Sequence, residues 1–187
     1  MDLPSLIDSI HPIKHESKIL LLSKFEEKHF PKKHILLGSE RMEHYLYFIK
    51  KGVVRAFFNS PDKDISFWFG TEGDPILSMQ SYVSHRKSYE NIELIEDSTL
   101  YEIRISDLQE LYSTNIDIAN WGRKLAEQEL IKTEKLFLSR QFKSASDRYA
   151  ELLKENPEII QRVPLKIIAS YLGITQVSLS RIRAEIK

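Results

Sequence analysis

The side chains best suited to recognise another molecule are concentrated near the C-terminal end of this chain. Between Thr175 and Ala184 the sequence reads Thr-Gln-Val-Ser-Leu-Ser-Arg-Ile-Arg-Ala, with hydroxyls, one amide and two guanidinium groups but no carboxylate. These are the groups that hydrogen-bond base edges and phosphates in a DNA major groove. A helix that only faces water usually mixes acidic and basic residues, so the composition favours nucleic-acid binding.

A helix, a tight turn and a second helix would position these groups. Pro164 suits the first position of the first helix, where a missing N–H costs nothing. Gly173 can take a positive φ and end that helix, and Thr175 can cap the next one. The pattern predicts a helix-turn-helix.

The second helix is predicted to be amphipathic. Leu179, Ile182 and Ile186 recur at helical spacing and give one apolar stripe. The opposite face carries the polar and basic side chains of this helix: Gln176, Ser178, Ser180, Arg181 and Arg183. Spacing alone also allows a small helical hairpin with an accidentally basic surface.

The bulk composition is that of an ordinary soluble protein. The chain has 187 residues, 42% of them hydrophobic and 29% charged, which suffices for one large or two small domains. The absence of cysteine excludes disulfides, iron–sulfur clusters and cysteine nucleophiles. Neither a signal peptide nor a membrane-length apolar run is present, so we expect a cytoplasmic protein with no membrane partner.

The formal net charge is zero, but the charges are unevenly distributed. Residues 161–187 contain five basic residues against one acidic residue: Arg162, Lys166, Arg181, Arg183 and Lys187 against Glu185. A basic end on a neutral protein fits an electrostatic footprint confined to one module.

The first two thirds of the chain predict a small β domain with flanking helices. Residues 3–10 and 16–29 have helical periodicity. From His34 to Ile105, short β-branched and aromatic runs alternate with turn residues, which suggests a jelly roll. The predicted strands are Ile35–Leu37, Tyr45–Ile49, Val53–Phe58, Ile65–Phe69, Tyr89–Leu94 and Thr99–Ile103, and Lys50-Lys51-Gly52 is interpreted as a hairpin turn.

A long helix is predicted from Ile116 to Phe142, after a short one over Ser106–Tyr112. At 1.5 Å per residue it would span roughly 40 Å, more than one small domain covers. We therefore expect it to pack on its own domain and on a second copy of the chain. The alternative is a helix wrapped entirely by its own chain. Ser144 to Asp147 is close to a capping box and opens the next helix.

These patterns predict an α+β fold in three parts. Residues 1–115 would form a sensory jelly-roll β domain, residues 116–142 the long connecting and dimerisation helix, and residues 143–187 the helix-turn-helix domain.

In this order, the parts resemble the Crp/Fnr family of bacterial transcription regulators over nearly the whole chain. Tyr47-Phe-Ile-Lys-Lys-Gly-Val-Val-Arg resembles a hairpin of that family. Phe69-Gly-Thr-Glu-Gly-Asp and Glu96-Asp-Ser-Thr-Leu resemble later strands of its cyclic-nucleotide-binding-like domain. The most specific similarity is Leu172-Gly-Ile-Thr-x-x-Ser-Leu-Ser-Arg-Ile-Arg, together with Arg148-Tyr-x-x-Leu-Leu-x-x-x-Pro.

The resemblance implies a homodimeric regulator that binds a palindrome in double-stranded DNA through a winged helix-turn-helix, with RNA polymerase as a further partner. The recognition helix would be Thr175–Lys187. The residues implied to contact bases are Gln176, Val177 and Arg181, and those implied to contact phosphates are Lys166, Thr175 and Ser178. Because Val177 stands where many relatives carry an acid, the target sequence should differ from theirs.

The resemblance also locates an effector pocket, but the family's ligand residues are not in place there. Cyclic-nucleotide binders carry a Gly-Glu-Leu-like helix start and then an Arg-Ala or Arg-Ser pair. Here the corresponding positions are Gly73 and Asp74, then Arg86, Lys87 and Ser88. We therefore do not expect cyclic AMP, and no cofactor is implied. Another effector, no effector, or control by a partner protein all remain open, and Arg86 and Lys87 also fit a solvated loop.

A jelly roll can also be a metal-dependent enzyme, but the histidines do not favour this. No His-x-His pair occurs among the six, which are His11, His15, His29, His34, His44 and His85. No nucleophile elbow or phosphate loop is present either. The sequence predicts neither catalytic residues nor a metal site, and hence a protein that is not an enzyme.

Overall fold

The structure is a computed structural model that describes residues 1–61 and 63–186. Within them it contains nine helices and eight strands, an α+β fold as predicted. The helices are α1 (Leu3–Ile10), α2 (His15–Leu22), α3 (Met79–Ser84), α4 (Ile105–Thr114), α5 (Ile116–Phe142), α6 (Ala145–Glu155), α7 (Pro157–Arg162), α8 (Leu165–Leu172) and α9 (Gln176–Glu185). The strands are β1 (Glu26–Phe30), β2 (Ile35–Leu37), β3 (Tyr45–Lys51), β4 (Val54–Asn59), β5 (Asp64–Gly70), β6 (Pro75–Ile76), β7 (Asn91–Leu94) and β8 (Ser98–Arg104). Lys187, predicted to end the recognition helix, lies outside the described residues.

The strands form two antiparallel four-stranded sheets, which we call the β sandwich. One sheet has the order β1-β8-β3-β6 and the other β2-β7-β4-β5. Alternate residues of β3 serve two cores because successive side chains of a strand point to opposite faces. Phe48 packs with α1, α2, α4 and α5, whereas Ile49 packs inside the sandwich. The sandwich therefore has a filled interior and one helix-covered face.

Two local predictions were wrong. The helix predicted over residues 16–29 ends at Leu22, and Glu26–Phe30 forms β1, paired with β8 along its whole length. Strand β1 lies at a sheet edge and its side chains are largely solvated, so it lacks the apolar alternation that predicts a strand. The hairpin predicted at Lys50-Lys51-Gly52 is a crossover, because β3 and β4 belong to different sheets.

Gly52 makes this crossover possible. Its φ is 131°, a conformation that side chains disfavour, and a Cβ there would lie 2.1 Å from the Ser98 Oγ. Its N–H donates to the Glu72 Oε1 over 2.9 Å, which ties the crossover to the turn after β5.

The two halves of α5 have different surroundings. In the first half, Trp121 is fully buried and its Nε1–H donates to the Ile7 carbonyl over 3.1 Å. The second half carries five large apolar side chains that are 45–77% exposed, and we call this set the apolar stripe: Leu130, Ile131, Phe137, Leu138 and Phe142. The first half of α5 is thus anchored to the β sandwich, and the second half leaves an apolar face uncovered.

Residues 143–186, the C-terminal segment, fold into α6 to α9 around a shared core. The predicted capping box is present: the Asp147 N–H donates to the Ser144 Oγ, and the Ser144 N–H donates to the Asp147 carboxylate. Leu179 of α9 is completely buried. The segment contains no strand within its described residues, so the β-hairpin wing of a winged helix-turn-helix is not found there.

Helix α8 docks the C-terminal segment on the edge of the β sandwich. The Ser66 N–H on the free edge of β5 donates to the Ser170 Oγ over 3.0 Å, and that hydroxyl donates to the Asp64 carbonyl over 2.9 Å. Beside this contact, the rings of Phe69 and Tyr171 are 4.9 Å apart between centroids. Polar and apolar contacts therefore fix the segment to the sandwich.

The two glycines with positive φ at these junctions should differ in their tolerance of a side chain. We expect Gly52→Ala to lower the free energy of unfolding by about 2 kcal/mol or more, because strain and overlap with Ser98 act together. Gly173 has φ 71° at the end of α8, and no atom of the described residues lies within 4 Å of the place that a Cβ would occupy. Gly173→Ala should therefore cost only about 1 kcal/mol. Thermal and urea unfolding of both variants compare the costs, and equal losses would contradict the crossover account.

Candidate nucleic-acid interface and effector region

The predicted recognition helix begins where its capping residue implies. Thr175 precedes α9 with extended backbone, and its Oγ1 accepts a hydrogen bond from the Ser178 N–H over 3.1 Å. Gly173 ends α8 with a left-handed φ of 71°. Pro164 is the residue before α8 and not its first helical residue, because its ψ of 137° is still extended. Local chemistry thus fixes both ends of the turn.

The implied base-contacting residues lie together on the outer face of α9. Gln176, Val177 and Arg181 are all exposed, with Val177 at 63%, whereas Leu179 on the opposite face is fully buried. No described residue forms an ion pair with Arg181, so its guanidinium is available to a ligand. The helix therefore presents an amide, a guanidinium and a branched apolar group to solvent.

The implied phosphate-contacting residues are also accessible. Thr175 and Ser178 meet at the N-terminus of α9, where their hydroxyl oxygens are 2.9 Å apart. Lys166 is exposed on α8. A helix N-terminus offers free N–H groups and a partial positive charge, so hydroxyls placed there can share a phosphate with the backbone.

The basic surface is smaller than the sequence suggested. Arg162 forms ion pairs with Glu72 and Glu96 of the β sandwich, at 2.7 and 2.6 Å. Its charge is thus neutralised within the chain. In the described residues, the exposed basic side chains of the 161–186 region are Lys166, Arg181 and Arg183.

The implied effector-pocket residues fall into two groups that no hydrogen bond or ion pair joins within the described residues. Gly73 and Asp74 belong to the turn between β5 and β6, where the Gly73 N–H donates to the Ile49 carbonyl over 2.8 Å. The Asp74 carboxylate accepts from the Thr71 N–H over 3.0 Å and from the Lys132 Nζ of α5 over 2.9 Å. The carboxylate that corresponds to a ligand-binding position is therefore engaged with the long helix.

The second group lies between α3 and β7. Arg86 and Lys87 are exposed, and Lys87 approaches Glu40 at 3.8 Å. Ser88 is buried, and its hydroxyl donates to the Glu90 carbonyl over 3.0 Å. The two basic side chains are thus on a solvated surface.

Sequence reasoning missed two buried polar residues beside this group. Glu90 is 6% exposed and its Oε2 has no hydrogen-bond partner, and Asn91 is 7% exposed with an unpartnered Nδ2, among the described residues. The available signal was an acid and an amide within the predicted strand Tyr89–Leu94, but a strand pattern does not indicate that such groups are buried without partners. Buried polar groups normally have partners, so these atoms mark this region as a candidate ligand site.

A cleft of about 320 Å³ opens nearby, between the β2–β3 loop, α3 and the start of α4. Its lining includes Glu43, Ser81, His85 and Arg104. Burial raises the pKa of the Glu43 carboxyl, against the hydrogen bond that the Gly38 N–H donates to it. The cleft therefore combines an arginine with a carboxyl whose charge is disfavoured.

The contact between Arg162 and Glu72 also changes the pKa values of both side chains. Partial burial acts to raise the pKa of Glu72, but hydrogen bonds from Arg162 and from the Gly52 N–H outweigh it and lower the pKa to about 2. Hydrogen bonds to Glu72 and Glu96 in turn raise the pKa of Arg162. The charged form of Glu72 is therefore the form that the folded chain prefers.

This pKa predicts a dependence of stability on pH. A carboxyl whose folded-state pKa lies below its ordinary 4.5 contributes stability above that pH, and the contribution is lost as the pH falls toward about 2. Between about pH 5 and about pH 3, we expect the melting temperature of Glu72→Gln to fall less than that of the wild type. Exposed Glu110 makes no side-chain hydrogen bond or ion pair among the described residues, so Glu110→Gln serves as the control and should follow the wild type. Parallel behaviour of all three proteins would count against the assignment.

The described residues hold no group of three or more histidine, aspartate or glutamate side chains placed to bind one metal ion. Nor does any helix among them combine the length and apolarity that crossing a membrane requires.

Comparison with known proteins identifies the fold. No protein-family profile matches the sequence. No curated protein matches it either. Among solved structures, FixK2 from Bradyrhizobium japonicum is similar with a TM-score of 0.72 at 21% identity, over 87% of this chain and 84% of that one. The c-di-GMP responsive global regulator CLP from Xanthomonas campestris gives 0.71 at 17% identity, over 92% and 91%.

A third similar structure, from Eubacterium rectale, is assigned to the crp/fnr family of transcriptional regulators. It has a TM-score of 0.72 at 19% identity, and the match covers 95% of this chain and 87% of that one. In this chain the β sandwich comes first, followed by the long helix α5 and the helix-turn-helix of α8 and α9. The chain therefore has the fold of the Crp/Fnr transcription regulators.

Proposed function

We propose that the chain is a DNA-binding transcription regulator of the Crp/Fnr type, a homodimer on a palindromic operator. The observation that carries this proposal is that α9 has one buried apolar face and one exposed polar face. Leu179 is fully buried, while Gln176, Val177 and Arg181 are exposed on one helix. A helix held by one face with hydrogen-bonding groups on the other is the arrangement that reads a major groove.

The division of labour follows the three parts of the chain. Residues 1–115 are proposed as the sensory domain, residues 116–142 as the helix that carries the dimer seam, and residues 143–187 as the DNA-binding domain. The similar protein from Xanthomonas campestris is described as a regulator of virulence gene expression. A role in transcription here rests on that similarity together with the exposed face of α9, and RNA polymerase would then be a further partner in the cytoplasm.

Base reading is assigned to three side chains. Arg181 can bond the O6 and N7 atoms of guanine together, a contact typically worth ~1–3 kcal/mol of discrimination. Gln176 can pair with adenine in the same manner, and Val177 can contact a thymine methyl. Lys166, Thr175 and Ser178 are assigned to phosphates, which set the register but carry little sequence information.

Selection of bound DNA from a random pool tests this assignment. We expect Arg181→Ala to lose the preference for one guanine per half-site and to bind the selected operator ~10-fold more weakly. Arg183→Ala, on the flank of the same helix, is the matched control and should weaken binding to all sequences without changing the motif. An unchanged motif in Arg181→Ala would mean that a different helix lies in the groove.

The homodimer is proposed from the apolar stripe on α5. Leu130 and Phe137 are seven residues apart, as are Ile131 and Leu138, so the four side chains repeat along one face of the helix. All four are exposed in the single chain. Leaving a continuous apolar face in water is unfavourable, and a second α5 across a two-fold axis would cover it with identical groups. Two reading helices would then address half-sites about one DNA turn apart.

Acidic residues introduced into the apolar stripe should dissociate the proposed dimer. We expect Leu130→Glu with Phe137→Glu to be monomeric in light scattering and to lose tight binding to a palindrome, because a single module keeps only half of the contacts. Ser113→Glu with Thr114→Glu adds the same charge at two exposed positions of α4, away from the stripe, and should remain dimeric. Circular dichroism shows whether the double variant is folded. A dimer that persists in the folded double variant would place the seam elsewhere.

Any effector is proposed to differ from cyclic AMP. Arg86 and Lys87 point to solvent, while the buried unpartnered groups are a carboxylate and an amide, Glu90 and Asn91. A cyclic phosphate needs a cation, which these groups do not supply. A dose-dependent rise in melting temperature with cyclic AMP would contradict this proposal. The alternative is a DNA binder that needs no ligand or is controlled by another protein.

A further inference from the structure

The turn between β5 and β6 connects three parts of the molecule. It comprises residues 71–74, and two of its carboxylates reach outward in different directions. Glu72 binds Arg162 at the end of α7, while Asp74 binds Lys132 of α5 at 2.9 Å. The turn therefore contacts both the C-terminal segment and the long helix.

The Arg162 contact has a fixed geometry. Its Nη1 and Nη2 donate to the two carboxylate oxygens of Glu72 over 2.9 and 2.7 Å, which is a bidentate pair. The same Nη2 donates to Glu96, on the β7–β8 loop, over 2.6 Å. The three side chains are only 24–33% exposed. A planar guanidinium held by two carboxylates from separate loops fixes an orientation as well as a distance.

An apolar cluster extends the same interface. Val53, Phe69 and Ile95 of the β sandwich belong to one buried cluster with the core residues of the C-terminal segment. Next to it, the Arg140 Nη2 of α5 donates to the Phe67 carbonyl over 2.8 Å, and its guanidinium lies 5.1 Å from the centroid of the Tyr171 ring. The orientation of the segment is thus set by the sandwich and not by α5 alone.

This docked orientation leaves the reading face of α9 uncovered. Gln176, Val177 and Arg181 remain exposed while Arg162 is fully engaged. The contact therefore does not hide the surface that meets DNA, and a blocking role would require the opposite arrangement.

We propose that Arg162, Glu72 and Glu96 form a latch that holds the C-terminal segment in its DNA-binding orientation. The proposal rests on the DNA-binding function proposed above. A dimer on a palindrome must present two helices at one fixed spacing, so an unlatched segment occupies the competent orientation for only part of the time. The apparent dissociation constant rises as that fraction falls. The β sandwich thereby contributes to DNA affinity without touching DNA.

The position of the latch also makes it a point of control. Glu72 lies one residue before Gly73 and two before Asp74, the positions that correspond to an effector pocket. A ligand or partner that displaces this turn would release Arg162, and it would also disturb Lys132, which is next to Ile131 of the apolar stripe. A movement of this four-residue turn would then affect both the C-terminal segment, which is proposed to bind DNA, and α5, which is proposed to join the two copies.

The first arm of the test measures binding to the selected operator by fluorescence anisotropy. We expect Arg162→Ala, and equally Glu72→Gln with Glu96→Gln, to weaken binding ~10-fold while the selected motif stays the same. Combining all three changes should weaken it no further, because each side removes the same contact. Gln161→Ala is the matched control, since Gln161 is exposed beside Arg162 and its side chain makes no hydrogen bond among the described residues. Wild-type affinity in Arg162→Ala, or fully additive losses, would overturn the latch.

The second arm measures the orientation directly and needs no DNA. Because the chain has no cysteine, Lys32→Cys and Lys154→Cys place two dyes on exposed sites, one on the β sandwich and one on α6. Labelled protein is mixed with an excess of unlabelled protein, so that each dimer carries one labelled copy and only distances within a copy are measured. We expect a single narrow distance distribution that broadens with Arg162→Ala and not with Gln161→Ala. An unchanged distribution would overturn the latch even if binding weakened. If the wild type selects no DNA sequence while the distribution still broadens, the proposed function fails: the three residues then fix the orientation of the segment, but not for DNA binding.

Discussion

The free edge of β5 is the constraint around which the C-terminal segment is arranged. An edge strand presents unpaired N–H and C=O groups, and proteins cover such edges or charge them. Here the Ser170 hydroxyl of α8 takes the place of a neighbouring strand. It accepts a hydrogen bond from the Ser66 N–H and donates one to the Asp64 carbonyl. The outward face of β5 is covered at the same place, where Phe69 meets Tyr171. Covering this edge brings the helix-turn-helix to one defined side of the β sandwich.

The rest of the C-terminal segment follows from that docking. Once α8 lies on the edge, Gly173 turns the chain and Thr175 starts α9, so the recognition helix inherits its direction from α8. Leu179 completes the shared apolar cluster and leaves the other face of α9 to solvent. Arg162 then closes the far side of the contact through its two carboxylates. Packing determines where the helix lies, and charge determines how firmly it is held there.

The features that were predicted best from the sequence are helix ends and turns, which depend on residues close together in the chain. The bounds of α5 coincide with the prediction because Asn115 caps its start and Lys143 is extended. The capping box at Ser144 and the turn at Gly173 were correct for the same reason. Likewise, burial of Leu179 followed directly from helical periodicity.

What the sequence could not predict depends on residues far apart in the chain. Strand β1 is defined by its backbone pairing with β8, about seventy residues away, and its charged side chains give no strand pattern. Gly52 looked like a hairpin turn because the two runs beside it are close in sequence, whereas sheet membership is settled by partners elsewhere. Arg162 was counted as part of the basic surface, and only the fold brings Glu72 and Glu96 against it.

The buried anchor of α5 gives this helix the properties of a lever. Trp121 is the fixed point, wedged under α1, and Phe142 lies twenty-one residues further on, roughly 30 Å away at 1.5 Å per residue. Lys132 and Arg140 hold the second half of α5 against the β sandwich. If these contacts are released, a tilt of about 10° at the fixed point moves the far end by roughly 5 Å, about the rise of one helical turn. A small rearrangement of the core around Trp121 can therefore displace the far end of α5 by about the length of one helical turn.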